Sequence, residues 1–189
     1  MNILIWSPFI QKVGTTSNVQ NLISSFIKFS KKDDFKIDLI NVFGEWDNYE
    51  FRDIRVNKIK LLNVKFLKES KKNGFLRSRI YTILIIILSI FPLIKILNKK
   101  KYDFLFAHLI TSLPIFLLNF INKDIKLILN IAGFPKLTLL RSFFWKLNQK
   151  KIYNIICPSQ ETKNLLKKKN IFNEKKLFVI KDPHISARG

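Results

Sequence analysis

The chain has 189 residues, enough for one α/β domain with a good core, and its 48% hydrophobic content excludes a disordered tail. A formal net charge of +21 points to a polyanionic partner such as nucleic acid, anionic lipid or a nucleotide-linked substrate, although Lys, Ile, Asn and Phe are enriched together, as AT-rich codons would enrich them. The lone Cys157 excludes an internal disulfide and no Cys/His cluster has zinc spacing, so a reducing cytoplasm is expected and a structural metal is not.

Met1 to Trp6 reads as a buried first strand rather than a secretory signal, because no basic region precedes the apolar run and Ser7-Pro8 breaks it early. Gly14, Thr15 and Thr16 follow, then Ser17-Asn18-Val19-Gln20, which has the form of a capping box and predicts a helix starting there. Val19, Leu22, Ile23, Phe26 and Ile27 supply one apolar stripe for that helix. Gly14 permits a turn with positive φ or close approach of a ligand, and the plain alternative is a turn glycine beside a cap. Residues 35–42 form a second strand, with no acidic residue at its end and no G-x-G-x-x-G earlier, which disfavours NAD. Gly44 to Asn48 is a turn cluster, and a strand is allowed through Val56, Ile59 and Leu61. The Lys-rich run 65–72 reads as a solvated face or as a docking strip for anionic lipid headgroups.

Residues 80–94 are uncharged and apolar but short of the ~18 to 20 residues of a spanning helix, and Pro92 and Lys95 interrupt their end. A buried or interfacial crossover helix is expected. Residues 104–121 form a longer apolar stretch, yet His108, Ser112, Pro114 and Asn119 split it into a strand, a turn and a short helix. The alternative is a small basic inner-membrane protein in which both stretches pair as a two-helix hairpin. Residues 102–108 then form a strand closed by His108, and residues 126–130 another that runs into the turn of Gly133. Leu140, Phe143, Phe144 and Leu147 predict an inward helical stripe. Strand 153–157 ends at Ser159, a natural N-cap, and residues 176–180 form the last strand.

Strands alternating with helices imply a parallel sheet with its chemistry at the carboxyl ends, where Ser7, Gly14, His108, Gly133 and Ser159 lie. The fold class is α/β, a Rossmann-like parallel sheet flanked by helices. No RRM, KH or helix-turn-helix signature accompanies the basic excess, so no nucleic-acid partner is expected.

The order of an opening strand, Gly14 loop and helix, Tyr102-Asp103-Phe104-Leu105-Phe106-Ala107-His108, Gly133-Phe134-Pro135 with Arg141, Pro158-Ser159-Gln160-Glu161-Thr162 and Lys181-Asp182-Pro183 resembles the amino-terminal half of family-4-type glycosyltransferases of the GT-B fold. The resemblance spans nearly the whole chain, with one departure: the paired glycine of the first loop is replaced, leaving Gly14 beside Thr15 and Thr16. It implies an acceptor-side domain over residues 1–183, the start of an interdomain linker at 184–189, and a carboxyl-terminal donor-binding domain that this sequence lacks. It implies a retaining transfer from a nucleotide-sugar donor to a glycan or lipid-linked glycan acceptor, in cell-surface polysaccharide or lipopolysaccharide synthesis, inactive in this half alone. No cofactor or metal is implied, in keeping with the absence of a D-x-D pair. By the same resemblance His108 is the catalytic-site residue, and Gly14, Thr15, Thr16, Gly133 and Ser159 face substrate. The expected location is cytoplasmic, peripheral on the inner face of the plasma membrane through an anionic surface.

Overall fold

A computed structural model describes residues 1–10, 14–31, 34–63 and 75–181. In chain order β1 (Asn2–Trp6), α1 (Gly14–Phe29), β2 (Lys36–Asn41) and β3 (Val56–Lys60) precede a long helix, α2 (Phe75–Lys99). Then come β4 (Phe104–Ala107), α3 (Ser112–Leu117), β5 (Lys126–Asn130), α4 (Leu139–Leu147), β6 (Ile152–Cys157), α5 (Gln160–Lys168) and β7 (Leu177–Val179). All seven strands lie in one sheet of order β3-β2-β1-β4-β5-β6-β7, and every neighbouring pair is parallel. This is the Rossmann-like α/β sheet that the sequence predicts.

The apolar strand runs are explained by burial on both faces. Leu4, Trp6, Leu105, Ala107, Leu127 and Leu129 face a core closed by α2 to α5, while Ile3, Ile5, Ile37, Leu39 and Phe106 face a second core closed by α1. The order turns back at β1, which pairs with β2 on one side and β4 on the other. The chain therefore leaves the adjacent ends of β1 and β4 toward opposite faces, the arrangement that opens a crevice outside the carboxyl ends of a parallel sheet.

Two expectations are corrected, and the hairpin alternative falls away. Helix α1 is already helical at Gly14, so Ser17 and Gln20 lie inside it rather than at its cap, with Thr15 and Thr16 buried in its first turn. Residues 104–121 are the strand, loop and short helix expected, β4 and the six-residue α3, so the second helix of the alternative hairpin does not form. The stripe of α4 points the other way: Leu140, Phe143 and Leu147 are exposed and only Phe144 is half-buried. The helix is anchored instead by buried Trp145, whose ring lies 5.6 Å from that of Phe172 and under the Arg141 guanidinium. A nine-residue helix needs one large anchor, and the indole offers more apolar surface than any of the stripe residues. The Lys-rich run 65–72 and the linker 184–189 lie outside the described residues.

The turn after β2 is built around Trp46, which is fully buried and donates its indole N–H to the Ser7 carbonyl at 3.3 Å. Asn41 accepts the backbone N–H groups of Gly44 and Trp46 at 3.0 and 3.2 Å, and the Glu45 carboxyl accepts those of Val42 and Phe43, both at 2.9 Å. At the opposite edge Asp38 lines an open cavity of about 430 Å³ and accepts from Lys100, Tyr102 and Asn57 at 2.8, 2.7 and 2.9 Å. Burial acts to raise the Asp38 carboxyl, but those three bonds outweigh it and hold it below its ordinary value. That edge is a structural seal between β2, β3 and the start of β4.

Candidate functional site

The crevice at the switch point is built from the residues just past β1, β4 and β5. Trp6 pairs with Ala107 and Ala107 with Leu129, so the next residues, Ser7, His108 and Asn130, follow side by side along the carboxyl edge. The His108 N–H donates to the Trp6 carbonyl at 3.0 Å, which extends the pairing and fixes the register at the site. Strand alternation turns all three side chains to the α1 face, opposite Ala107 and Leu129.

His108 is 4% exposed and its Nδ1 lies 2.9 Å from the Asn130 amide nitrogen. Burial pushes the imidazole down to about 4, so it is neutral at physiological pH. An amide N–H only donates, so Nδ1 is the acceptor and the neutral ring carries its proton on Nε2. That Nε2 is buried, and neither it nor the Ser7 Oγ beside it has a hydrogen-bond partner among the described residues. Buried polar groups are normally paired, so two orphans on adjacent strand ends mark a place for a polar ligand atom.

A cavity of about 290 Å³ adjoins His108 and Asn130 on the α1 face, while Ser7 lies fully buried behind them. His108 and Asn130 line it together with Asn18, Asn21 and Ser25 of α1 and Lys181 after β7. Three amides and the Ser25 hydroxyl sit among apolar walls of Leu22, Phe106, Ile156 and Ile180, so a few donors and acceptors adjoin a large apolar surface, which suits a sugar ring better than a bare anion. A larger cavity of about 790 Å³ lies along the same edge on the other face, where His108 meets the loop after β4 and the helices α2 and α4. In that loop Ile110 has φ 49, a strained value for a β-branched residue, and its carbonyl accepts the Trp6 indole N–H at 3.3 Å.

The other sequence-predicted residues all follow strand carboxyl ends, but they do not converge on His108. Gly14 opens α1 with helical backbone rather than positive φ, and a Cβ there would meet no atom within 4 Å. Thr15 and Thr16 are buried, and neither they nor Gly14 lines the cavity at His108. Gly133 does occupy the left-handed region, with φ 66, as the turn after β5 requires. It sits between Ala132 and Phe134, which line the larger cavity. Ser159 accepts the Thr162 N–H at 3.2 Å and caps α5; it lines neither cavity. Sequence reasoning missed Asn130 and the polar row of α1. The row was visible as Asn18, Asn21 and Ser25 at i, i+3 and i+7, one step round the helix from the apolar stripe.

No family model matches this sequence, and no curated protein matches it. Among solved structures, the chain is similar to the apo form of the lipopolysaccharide outer core galactosyltransferase WaaB, with a TM-score of 0.60 and 12% identity over 96% of this chain and 45% of that one. It is also similar to the UDP-GlcNAc 2-epimerase from Methanocaldococcus jannaschii, with a TM-score of 0.51 and 16% identity over 95% of this chain and 44% of that one. The chain thus spans under half the length of both. At these identities the likeness is one of fold: this chain has the α/β Rossmann-like architecture found in part of each.

Proposed function

We propose that this chain is the acceptor-side part of a GT-B glycosyltransferase, which moves a sugar from a nucleotide donor to a glycan or lipid-linked glycan at the cytoplasmic face of the membrane. The observation that carries the reading is the buried, neutral His108, fixed by Asn130 beside a largely apolar cavity with a few amides on its rim, at the switch point of a sheet whose fold is shared with a galactosyltransferase. A neutral imidazole protonated on Nε2 donates a hydrogen bond to a sugar oxygen and holds it in place; it neither accepts a proton at that nitrogen nor acts as a strong acid. Its role is therefore to orient a hydroxyl of the acceptor or of the transferred sugar. The reading includes no metal.

Charge develops on the leaving nucleotide, and its stabilisation needs cations or helix amino termini aimed at the diphosphate. The smaller cavity at His108 offers Lys181 alone among charged groups, while Arg79, Lys136 and Arg141 lie round the larger one on the other face; in this reading the α1-face cavity takes the acceptor and a separate donor-binding part holds the diphosphate. Two outcomes are expected. Calorimetric titration of the 189-residue chain with nucleotide-sugars gives no micromolar binding and no transfer. In a protein that joins this domain to its donor-binding part, His108→Ala lowers turnover at least about tenfold, the worth of one hydrogen bond to a sugar oxygen. Micromolar nucleotide-sugar binding by the chain alone, or unchanged turnover in the variant, contradicts the reading.

A further inference from the structure

The largest feature that neither the fold nor the cleft explains is the outer surface of the layer formed by α2, α3 and α4. Among its described side chains, helix α2 buries only Tyr81, Ile85, Ser89, Leu93 and Leu97, every fourth residue from 81 to 97, against the sheet. Its far side carries Ile80, Ile83, Ile87 and Phe91, all more than half exposed and spaced as one continuous stripe. Residues 77–99 are apolar enough to cross a membrane, yet little more than a quarter of their most apolar stretch is buried. Next to it, Phe116 and Phe120 of the α3 region present rings 4.9 Å apart. On α4, Leu139 and Leu140 are 90% and 84% exposed, with Phe143 and Leu147 beside them. All three helices cover the same face of the sheet, so these side chains belong to one side of the molecule.

Charge decides what this side meets. Arg77, Arg79, Lys95 and Lys99 lie on α2 and Arg141 and Lys146 on α4, and neither helix contains a carboxylate. No Asp or Glu occurs anywhere between Ile125 and Gln160. Exposed apolar stripes on helices whose charged residues are all cations fit the interface of an anionic bilayer, where apolar side chains enter the acyl boundary and lysine and arginine meet phosphate. A spanning role for α2 is a poorer fit, because it is the crossover between β3 and β4 and withdrawing it would uncover the core it shares with Leu105, Leu127 and Leu129.

We infer that the α2–α3–α4 face is a docking surface for an anionic lipid bilayer, on which α2 and α4 lie in the plane of the interface. Leu140, Arg141 and Arg79 also line the 790 Å³ cavity, so docking brings the mouth of that cavity to the lipid. The inference stands apart from the sugar-transfer reading, since lipid binding needs neither His108 nor a donor.

The test is flotation of the full chain with vesicles of phosphatidylcholine, with and without phosphatidylglycerol, at low and high salt. Binding is expected with the anionic vesicles only, and to fall as salt rises. Phe143→Glu with Leu147→Glu should weaken it by about 100-fold or more, since two apolar insertions are lost and two charges are repelled. Ile54→Glu, 95% exposed at the opposite edge, should leave it unchanged. Because Phe143 and Leu147 are exposed the double variant keeps its fold, and Phe143→Gln offers a milder version with the same direction. Equal binding to neutral vesicles, no binding to either kind, or full binding by the double variant would overturn the inference. So would a concentration-dependent dimer abolished by the same substitutions, which would assign this face to a second copy of the chain.

Discussion

Trp46→Ala is expected to destabilise the domain by about 4 kcal/mol, the range for deleting a fully buried indole. Trp46 has no exposed surface, and its ring stands edge-on to Phe9 and Tyr49 at centroid distances of 4.9 and 5.1 Å. Its N–H satisfies the Ser7 carbonyl, which alanine would leave unpaired in the interior. Against a total stability of ~5 to 15 kcal/mol, this is enough to lower the melting temperature by roughly 10 °C. The loss also reaches the site, because Trp46 holds the end of β1 where Ser7 adjoins His108. Urea unfolding of wild type and variant measures the effect; a change below about 1 kcal/mol would mean that the turn after β2 is not packed as described.

The second large effect is a pH dependence. The His108 imidazole titrates near 4 in the folded chain because it is buried, against about 6.5 in an unfolded one. A base with a depressed folded-state value contributes full stability above the unfolded value, and loses it as pH falls toward the folded one, because the unfolded chain takes up the proton first. Between pH 6.5 and 4 the wild type should therefore lose about 3 kcal/mol through this one group. His108→Gln should remove that part of the slope and leave the part due to carboxylates such as Asp38. Asn130→Asp should act in the opposite sense to burial: a carboxylate accepts from Nδ1–H, so the ring changes tautomer and its titration moves up. The nitrogen-15 signals of the imidazoles report both, and His108→Gln separates the two histidines of the sequence. An unchanged slope in His108→Gln, or an unchanged tautomer in Asn130→Asp, would contradict the description of this pair.

Much of the fold was legible because strands buried on both faces leave uninterrupted apolar runs, and those runs end in Ser7, His108, Gly133 and Ser159 whatever the pairing. The pairing itself was not legible. Nothing in the residues 126–130 distinguishes Asn130 from a solvated strand end until β5 is known to lie beside β4, and only that neighbour makes it the partner of His108. The reversal of α4 has a different cause. Both Trp145 with Phe144 and Leu140 with Phe143 and Leu147 make plausible inward faces at helical spacing, and periodicity alone does not choose between them; contact with Phe172 does. Gly14 misled for a third reason, since a glycine after a strand suggests a turn, yet here it opens a helix.

The central claim is that the crevice at β1 and β4 binds sugar through His108, and it is tested most directly by following the His108 imidazole while glycans are added. Neutral oligosaccharides should shift its Nε2–H signal in a saturable way, His108→Gln should abolish the response, and nucleoside diphosphates alone should leave it in place. An imidazole that no glycan moves, or one that nucleotides move and glycans do not, would contradict the assignment of this crevice to the acceptor side.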